Sequence, residues 1–217
     1  MEEIFDNVFE HEGRILTRNA VPGSKVYGEN LIRISGTEYR AWNPRRSKLC
    51  AAIKNGLKNN PIKRNSVVLY LGASTGTTPS HLSDILTSGG LYAVEISAHS
   101  MKTLIALCEK RRNMLPILAD ARNPQTYSEV GKVDIVYEDV ASPEQADILL
   151  KNCRAFLKKG GCAMIAIKSQ SIDVTKSPEQ IYAEVEKELS KELEVLERVN
   201  LEPFEMDHLF LVLRKRE

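Results

Sequence analysis

The chain has 217 residues, 42% apolar and 27% charged, a composition that supports one core-forming domain with a small appendage and excludes a disulfide-stapled mini-protein, a low-complexity tail or a coiled coil. Thirty Lys and Arg against 29 Asp and Glu leave a formal charge of +1. No overall positive field then draws the molecule onto nucleic acid, and any RNA contact must come from a local patch or a partner.

Residues 1 to about 43 are rich in Gly, Asn, Arg and β-formers, with alternating stretches at Arg14-Ile-Leu-Thr and Asn30-Leu-Ile-Arg-Ile separated by Pro22-Gly23 and Gly36. They predict a small β-hairpin region over 1–45, ahead of a main domain over 46–217. The acidic start, Met1-Glu-Glu-Ile-Phe, does not read as a signal peptide, and no apolar run approaches the roughly 20 residues of a membrane helix. From Ser47 the apolar period becomes helical, with Leu49, Ala52, Ile53 and Leu57 on one face. Short apolar runs then alternate with amphipathic helices. Val67 to Leu71, Leu91 to Glu95, Leu115 to Ala119, Asp134 to Glu138 and Cys162 to Ile167 read as five buried parallel strands. Ser142-Pro143-Glu144-Gln145 and Ser177-Pro178-Glu179-Gln180 each supply an N-cap, a proline at the first helical position and a capping-box residue. Gly160-Gly161 is expected to stop the helix that the first of them starts. Leu193 to Asn200 and His208 to Leu213 suit an antiparallel pair at the sheet edge. The pattern predicts an α/β fold: a seven-stranded, doubly wound Rossmann-like sheet behind an N-terminal β region. The cysteines Cys50, Cys108, Cys153 and Cys162 form no CxxC pair and lie in or beside apolar patterns, as buried free thiols do. A reducing, cytoplasmic setting without membrane contact is expected, and no metal.

In such a sheet ligands sit beyond the carboxyl ends of the strands, where strand order reverses. The loop there is Gly72-Ala73-Ser74-Thr75-Gly76-Thr77-Thr78; its small residues, Gly72 and Ala73 foremost, admit close backbone approach. It is neither GxGxxG nor GxxxxGK[ST], which removes support for a dinucleotide or P-loop site. Glu95 ends the second strand and Asp120 follows the third. The first can accept both hydroxyls of a ribose, the second can meet an adenine amino group. The set suits S-adenosylmethionine.

Four segments carry a more specific signal: Tyr39-Arg40-Ala41-Trp42-Asn43-Pro44-Arg45-Arg46-Ser47-Lys48, the glycine loop, Tyr137-Glu138-Asp139-Val140-Ala141, and Ile167-Lys168-Ser169-Gln170-Ser171-Ile172-Asp173. In this order they resemble fibrillarin, the RNA 2′-O-methyltransferase family of box C/D ribonucleoproteins, in its short archaeal form. The resemblance covers nearly the whole chain. It implies cofactor contacts at Thr77, Thr78, Glu95, Ile96, Asp120, Ala121, Asp139, Val140, Ala141 and Ser142, and a catalytic tetrad of Lys48, Asp139, Lys168 and His208. It also implies action on rRNA and tRNA, with a box C/D guide RNA choosing the nucleotide, a Nop-family scaffold protein docking the enzyme and a kink-turn-binding ribosomal-type protein nucleating assembly.

The chemistry gives these residue types a purpose. A ribose hydroxyl is a weak nucleophile, while a sulfonium methyl needs only an oxygen held in line with its C–S bond, so orientation supplies much of the work. Lys168 binds the hydroxyl oxygen as a cation or removes its proton; sequence leaves both open. Asp139 fixes the lysines and faces the sulfonium, and Lys48 and His208 orient. Arg45 and Arg46, beside Lys48, are expected to meet phosphate; Lys110-Arg111-Arg112 and, if on the same face, Lys63-Arg64 are further candidates, against the commoner role of a charge run as a solvated face. With 6% aromatic residues no base-stacking array accompanies them, so sequence choice is expected to reside elsewhere. The alternatives are a catalytically idle assembly subunit and a methyltransferase for a non-RNA substrate.

Overall fold

The computed structural model describes residues 1–216. β1 (Glu2–Phe5), β2 (Val8–His11), β3 (Arg14–Arg18), β4 (Leu31–Ile34) and β5 (Thr37–Trp42) form an antiparallel sheet in the order β1-β2-β3-β5-β4. Two of its two-residue hairpins turn on Glu12-Gly13 and Ser35-Gly36, where both central residues have positive φ, a turn whose twist matches that of the flanking strands. This sheet is wider than the expected hairpin region. β1 and β2 carry Glu2, Glu3, Glu10 and His11 on half-exposed strands, so their apolar alternation is faint.

After α1 (Lys48–Lys54) come β6 (Val67–Leu71), α2 (Thr77–Ile85), β7 (Gly90–Glu95), α3 (Ala98–Cys108), β8 (Met114–Leu118), β9 (Val133–Glu138), α4 (Gln145–Phe156), β10 (Leu157–Lys168), α5 (Ser169–Ile172), α6 (Pro178–Leu189), β11 (Leu193–Asn200) and β12 (His208–Lys215). The strands form a seven-stranded sheet ordered β11-β12-β10-β9-β6-β7-β8, parallel except where β12 pairs with its neighbours. Strand order therefore reverses between β6 and β9. Alternate residues serve opposite faces: Val68, Tyr70, Ala93, Ile135 and Tyr137 join one core with α1, α2 and the N-terminal Val8, Ile15 and Trp42, while Leu69, Leu71, Val94 and Val136 join the other with α4 and α6. All four cysteines are free thiols, Cys162 half-buried and the others buried. No helix among the described residues is long and apolar enough to cross a membrane.

The two Ser-Pro-Glu-Gln segments part company. Ser177 caps α6 as expected, with its hydroxyl accepting from the Gln180 backbone and the Gln180 side chain returning to the Ser177 backbone. At Ser142 the capping box does not form. α4 begins three residues later with Glu144 at its N-cap and no side-chain cap, and Ser142 only accepts from the Glu144 backbone at 3.1 Å. Gln145, fully buried, turns inward to backbone groups instead. α4 also stops at Phe156, before Gly160-Gly161, because Leu157 is already extended and pairs with Val133.

A buried charge network ties the N-terminal sheet to α2. Arg40 is completely buried; its Nε lies 2.6 Å from Glu29 Oε1 and its Nη1 2.8 Å from Asp84 Oδ2. Arg111 reaches the other oxygen of Asp84 at 2.6 Å, and the Thr17 hydroxyl donates to Oδ2 at 2.8 Å. His81 stacks on Trp42, with Nδ1 2.7 Å from Thr17 Oγ1. Burial first, then the Arg40 and Arg111 charges, push the His81 pKa well down, so its ring is neutral. Two cations and two carboxylates balance, as burial demands.

Candidate functional site

The carboxyl ends of β6, β7, β8, β9 and β10 surround a cavity of about 500 Å³. Of the residues expected there from sequence, Gly72, Glu95, Ile96, Asp120, Ala121, Asp139, Val140, Ala141, Ser142 and Lys168 line it. Gly72 permits the arrangement. Its φ is +83°, and a Cβ would come within 2.7 Å of the Asp139 carbonyl oxygen, so only glycine lets β6 and the loop after β9 close on each other. Glu95 knits the rim, one carboxylate oxygen accepting from the Ser74 backbone and the other from Ser97, both at 2.7 Å. Asp120 is forked by Arg122 at 2.7 to 3.0 Å; those hydrogen bonds hold its carboxyl below the usual range.

Other expected residues lie outside that lining. Ala73 is buried in the core, Thr77 begins α2, and the buried Thr78 donates its hydroxyl to Ser47 Oγ at 2.9 Å. Ser47 in turn caps α1 by accepting from the Cys50 backbone. Sequence reasoning missed Val94, Ala119, Arg122, Pro143 and Ile148 in the wall. Arg122 was legible as a cation two residues after Asp120; the apolar members carry no signal that separates them from core.

Two of the expected residues, Lys48 and Lys168, meet at a third, Asp139. Its Oδ1 stands 3.1 Å from Lys168 Nζ and 3.4 Å from Lys48 Nζ. Oδ1 is buried, yet neither approach follows hydrogen-bond angles, so the contacts are ion pairs and not directed bonds. Lys168 Nζ also donates to the Asp139 carbonyl at 3.4 Å. Lys48 arrives as the first residue of α1, Lys168 as the last of β10. His208, the first of β12, is the register partner of Lys168, so both side chains leave the same face of the sheet. Its Nδ1 donates to the Met206 carbonyl at 2.6 Å; among the described residues no ion pair links it to Asp139 or the lysines. Glu138, next to Asp139, points to the opposite face, fully buried, and among the described residues neither carboxylate oxygen has a hydrogen-bond partner. Burial, then the Asp139 charge, push its pKa well up.

Arg45 and Arg46 are exposed just before Lys48, each guanidinium near an aromatic ring, Phe204 and Tyr27 respectively. The other basic runs do not share this place. Arg111 is buried on Asp84, which withdraws it from any phosphate. Lys63-Arg64 precedes β6, at the amino ends of the strands and away from the cavity, and Arg64 pairs with Glu3.

A family model described as Fibrillarin matches residues 1–217. The chain is 55% identical over 212 residues to the fibrillarin-like rRNA/tRNA 2′-O-methyltransferase of Thermococcus sibiricus, covering 96% of this chain and 94% of that protein. Among solved structures it resembles Aeropyrum pernix fibrillarin in complex with natively bound S-adenosyl-L-methionine, at 46% identity and TM-score 0.87, covering 95% and 92% of the two chains. It also resembles the chain in a fibrillarin/Nop5p complex, at 38% identity and TM-score 0.90, covering 98% of each.

Proposed function

This chain belongs to the fibrillarin family, and from that premise we propose a role for each group at the carboxyl edge of its sheet. The protein is an RNA 2′-O-methyltransferase that uses S-adenosylmethionine. The residues fit that cofactor. A cavity of about 500 Å³ has the capacity of a small-molecule site, and Gly72 leaves its floor open to close approach. Each Glu95 oxygen spends one lone pair on a backbone N–H and keeps another for a ribose hydroxyl. Ile96 is 61% exposed within the lining, an apolar surface for a flat base, and Asp120, held by Arg122, presents acceptor oxygens beside it. Val140, Ala141 and Ser142 form the facing wall.

When bound, S-adenosylmethionine supplies a sulfonium-activated methyl carbon, open to attack in line with its C–S bond. Asp139 anchors Lys168 at the mouth of that cavity. One ammonium N–H is spent on the Asp139 carbonyl, and the remainder are available to the ribose oxygen. Lys168 thus holds the 2′-hydroxyl in position and stabilises charge as it develops there. As the oxygen gains its bond to carbon its proton becomes acidic and leaves to water, which requires no strong base. Lys48 braces the carboxylate from α1. His208, beside Lys168, borders the approach of the sugar, and Arg45 and Arg46 take the neighbouring phosphates.

The target nucleotide lies in rRNA or tRNA. A box C/D guide RNA selects it by pairing, a Nop-family scaffold docks the enzyme, and a kink-turn-binding ribosomal-type protein nucleates the particle. The fibrillarin/Nop5p complex of a relative supports the scaffold, and a formal charge of +1 suits an enzyme delivered to RNA by partners. The observation that carries the reading is the convergence of Lys48 and Lys168 on one carboxylate at the cavity wall. Tritium transfer from labelled cofactor to target RNA in the assembled particle tests it. Lys168→Ala is expected to lower the rate by about 100-fold or more; an unchanged rate would remove Lys168 from the chemistry.

A further inference from the structure

Parallel pairing of β9 with β10 ends at Glu138 opposite Ile165. Had β9 continued, Val140 would face Ile167, with bonds to the carbonyl of Ala166 and the N–H of Lys168. The chain instead turns away at Asp139, which would orphan those two groups beside the cavity. The Gln145 side chain takes their place. Its Oε1 accepts from the Lys168 backbone at 2.9 Å, and its Nε2 donates to the Ala166 carbonyl at 3.0 Å and to the Val140 carbonyl at 2.9 Å. A carboxamide has the donor and acceptor of a peptide group, and here it pairs with the residues on either side of Ile167 as one strand residue does in a parallel ladder. The second amide hydrogen joins the turned-away loop to this substitute rung. Every bond goes to backbone, the side chain is completely buried, and neither end has freedom to reorient.

We propose that Gln145 is a positioning residue for methyl transfer: its amide replaces a missing strand residue and sets the backbone of Lys168 against the Val140 loop. The distance between Lys168 Nζ and Asp139 Oδ1 depends on where those two backbones sit, and among the described residues Gln145 is the one side chain bonded to both Lys168 N and Val140 O. This role rests on the reading of Lys168 given above, since without a catalytic Lys168 the rung has nothing to position.

Two readouts on the full chain test the proposal. Amide hydrogen exchange reports the rung itself: Gln145→Leu is expected to speed exchange at the Lys168 N–H while central β10 amides such as Met164 keep their protection. Single-turnover transfer in the assembled particle, at saturating S-adenosylmethionine, reports its consequence. There Gln145→Leu is expected to slow the rate by about tenfold to a hundredfold, the scale of a small misplacement. A deficit that saturating cofactor removes would make Gln145 a support of the cofactor wall alone and would overturn the proposal, as would an unchanged rate. Gln145→Asn keeps the amide but falls one methylene short of bridging all three groups; if the Leu variant lacks a cooperative melt, the Asn variant decides by the same criteria. Lys168→Ala separates the two readings. If it transfers at full rate, the role of Lys168 fails and with it the positioning role, whereas exchange at the Lys168 N–H still reports whether the rung exists. If it is impaired and Gln145→Leu is not, only the positioning role fails.

Discussion

Asp139 and Glu138 are adjacent carboxylates on one strand end, and the pleat sends them to opposite environments. Asp139 meets two ammonium groups at the cavity; Glu138 enters the core, with no partner for either oxygen among the described residues. Desolvation therefore governs Glu138, raising its pKa well above 4.5. Folding then favours the protonated form: the carboxyl is tolerated in full below about pH 4.5, and its cost grows as pH rises toward the folded-state value. Glu138→Gln keeps the shape and removes the titration. Urea melts are expected to find the variant matching the wild type near pH 4 and increasingly the more stable of the two as pH rises to 8. Parallel pH dependences in the two proteins would show that Glu138 is ionised or solvated in the fold.

The same four residues start a helix well at Ser177 and badly at Ser142, so capping chemistry is settled by what the first turn meets. Around Ser177 the segment is solvent-exposed and the reciprocal bonds between Ser177 and Gln180 have no competitor. Around Ser142 the glutamine finds orphaned backbone groups on β10 and takes them in preference to its own helix. Denaturant unfolding is expected to show a loss of about 1 kcal/mol for Ser177→Ala and under about 0.5 kcal/mol for Ser142→Ala. Equal losses would mean that a cap at Ser142 forms in solution. The carboxyl-terminal half of β10 was legible from its apolar run, whereas its extension back to Leu157 was not, because Lys158-Lys159-Gly160-Gly161 has no strand pattern.

Across the molecule, the N-terminal sheet and the α/β domain share one apolar core and one buried ionic network. Asp84 sits at the centre, taking Arg40 on one oxygen and Arg111 on the other. Asp84→Ala would leave Arg111 buried without a carboxylate and Arg40 with Glu29 alone, a change worth about 3–5 kcal/mol against a whole-protein stability of about 5–15 kcal/mol. A thermal melt is expected to shift as one cooperative transition; a second transition at the wild-type temperature would show the larger domain to be independent of residues 1–45. The network also ties α2, whose first residues follow the glycine loop, to the N-terminal sheet.

The order of βα units, the strand tips that carry Gly72, Glu95, Asp139 and Lys168, and the β12 start at His208 follow from sequence alone. Apolar period and length identify a buried parallel strand, and the topology rule then places its carboxyl end at the site. The inward fate of Ser80, His81 and Asp84 did not follow, because only the packing of β3 and β5 across α2 takes water from them. Arg111 and Gln145 are of the same kind. Periodicity records which residues avoid water within one element, but a polar group is buried only when a distant segment supplies its partner, and that meeting exists in the tertiary structure.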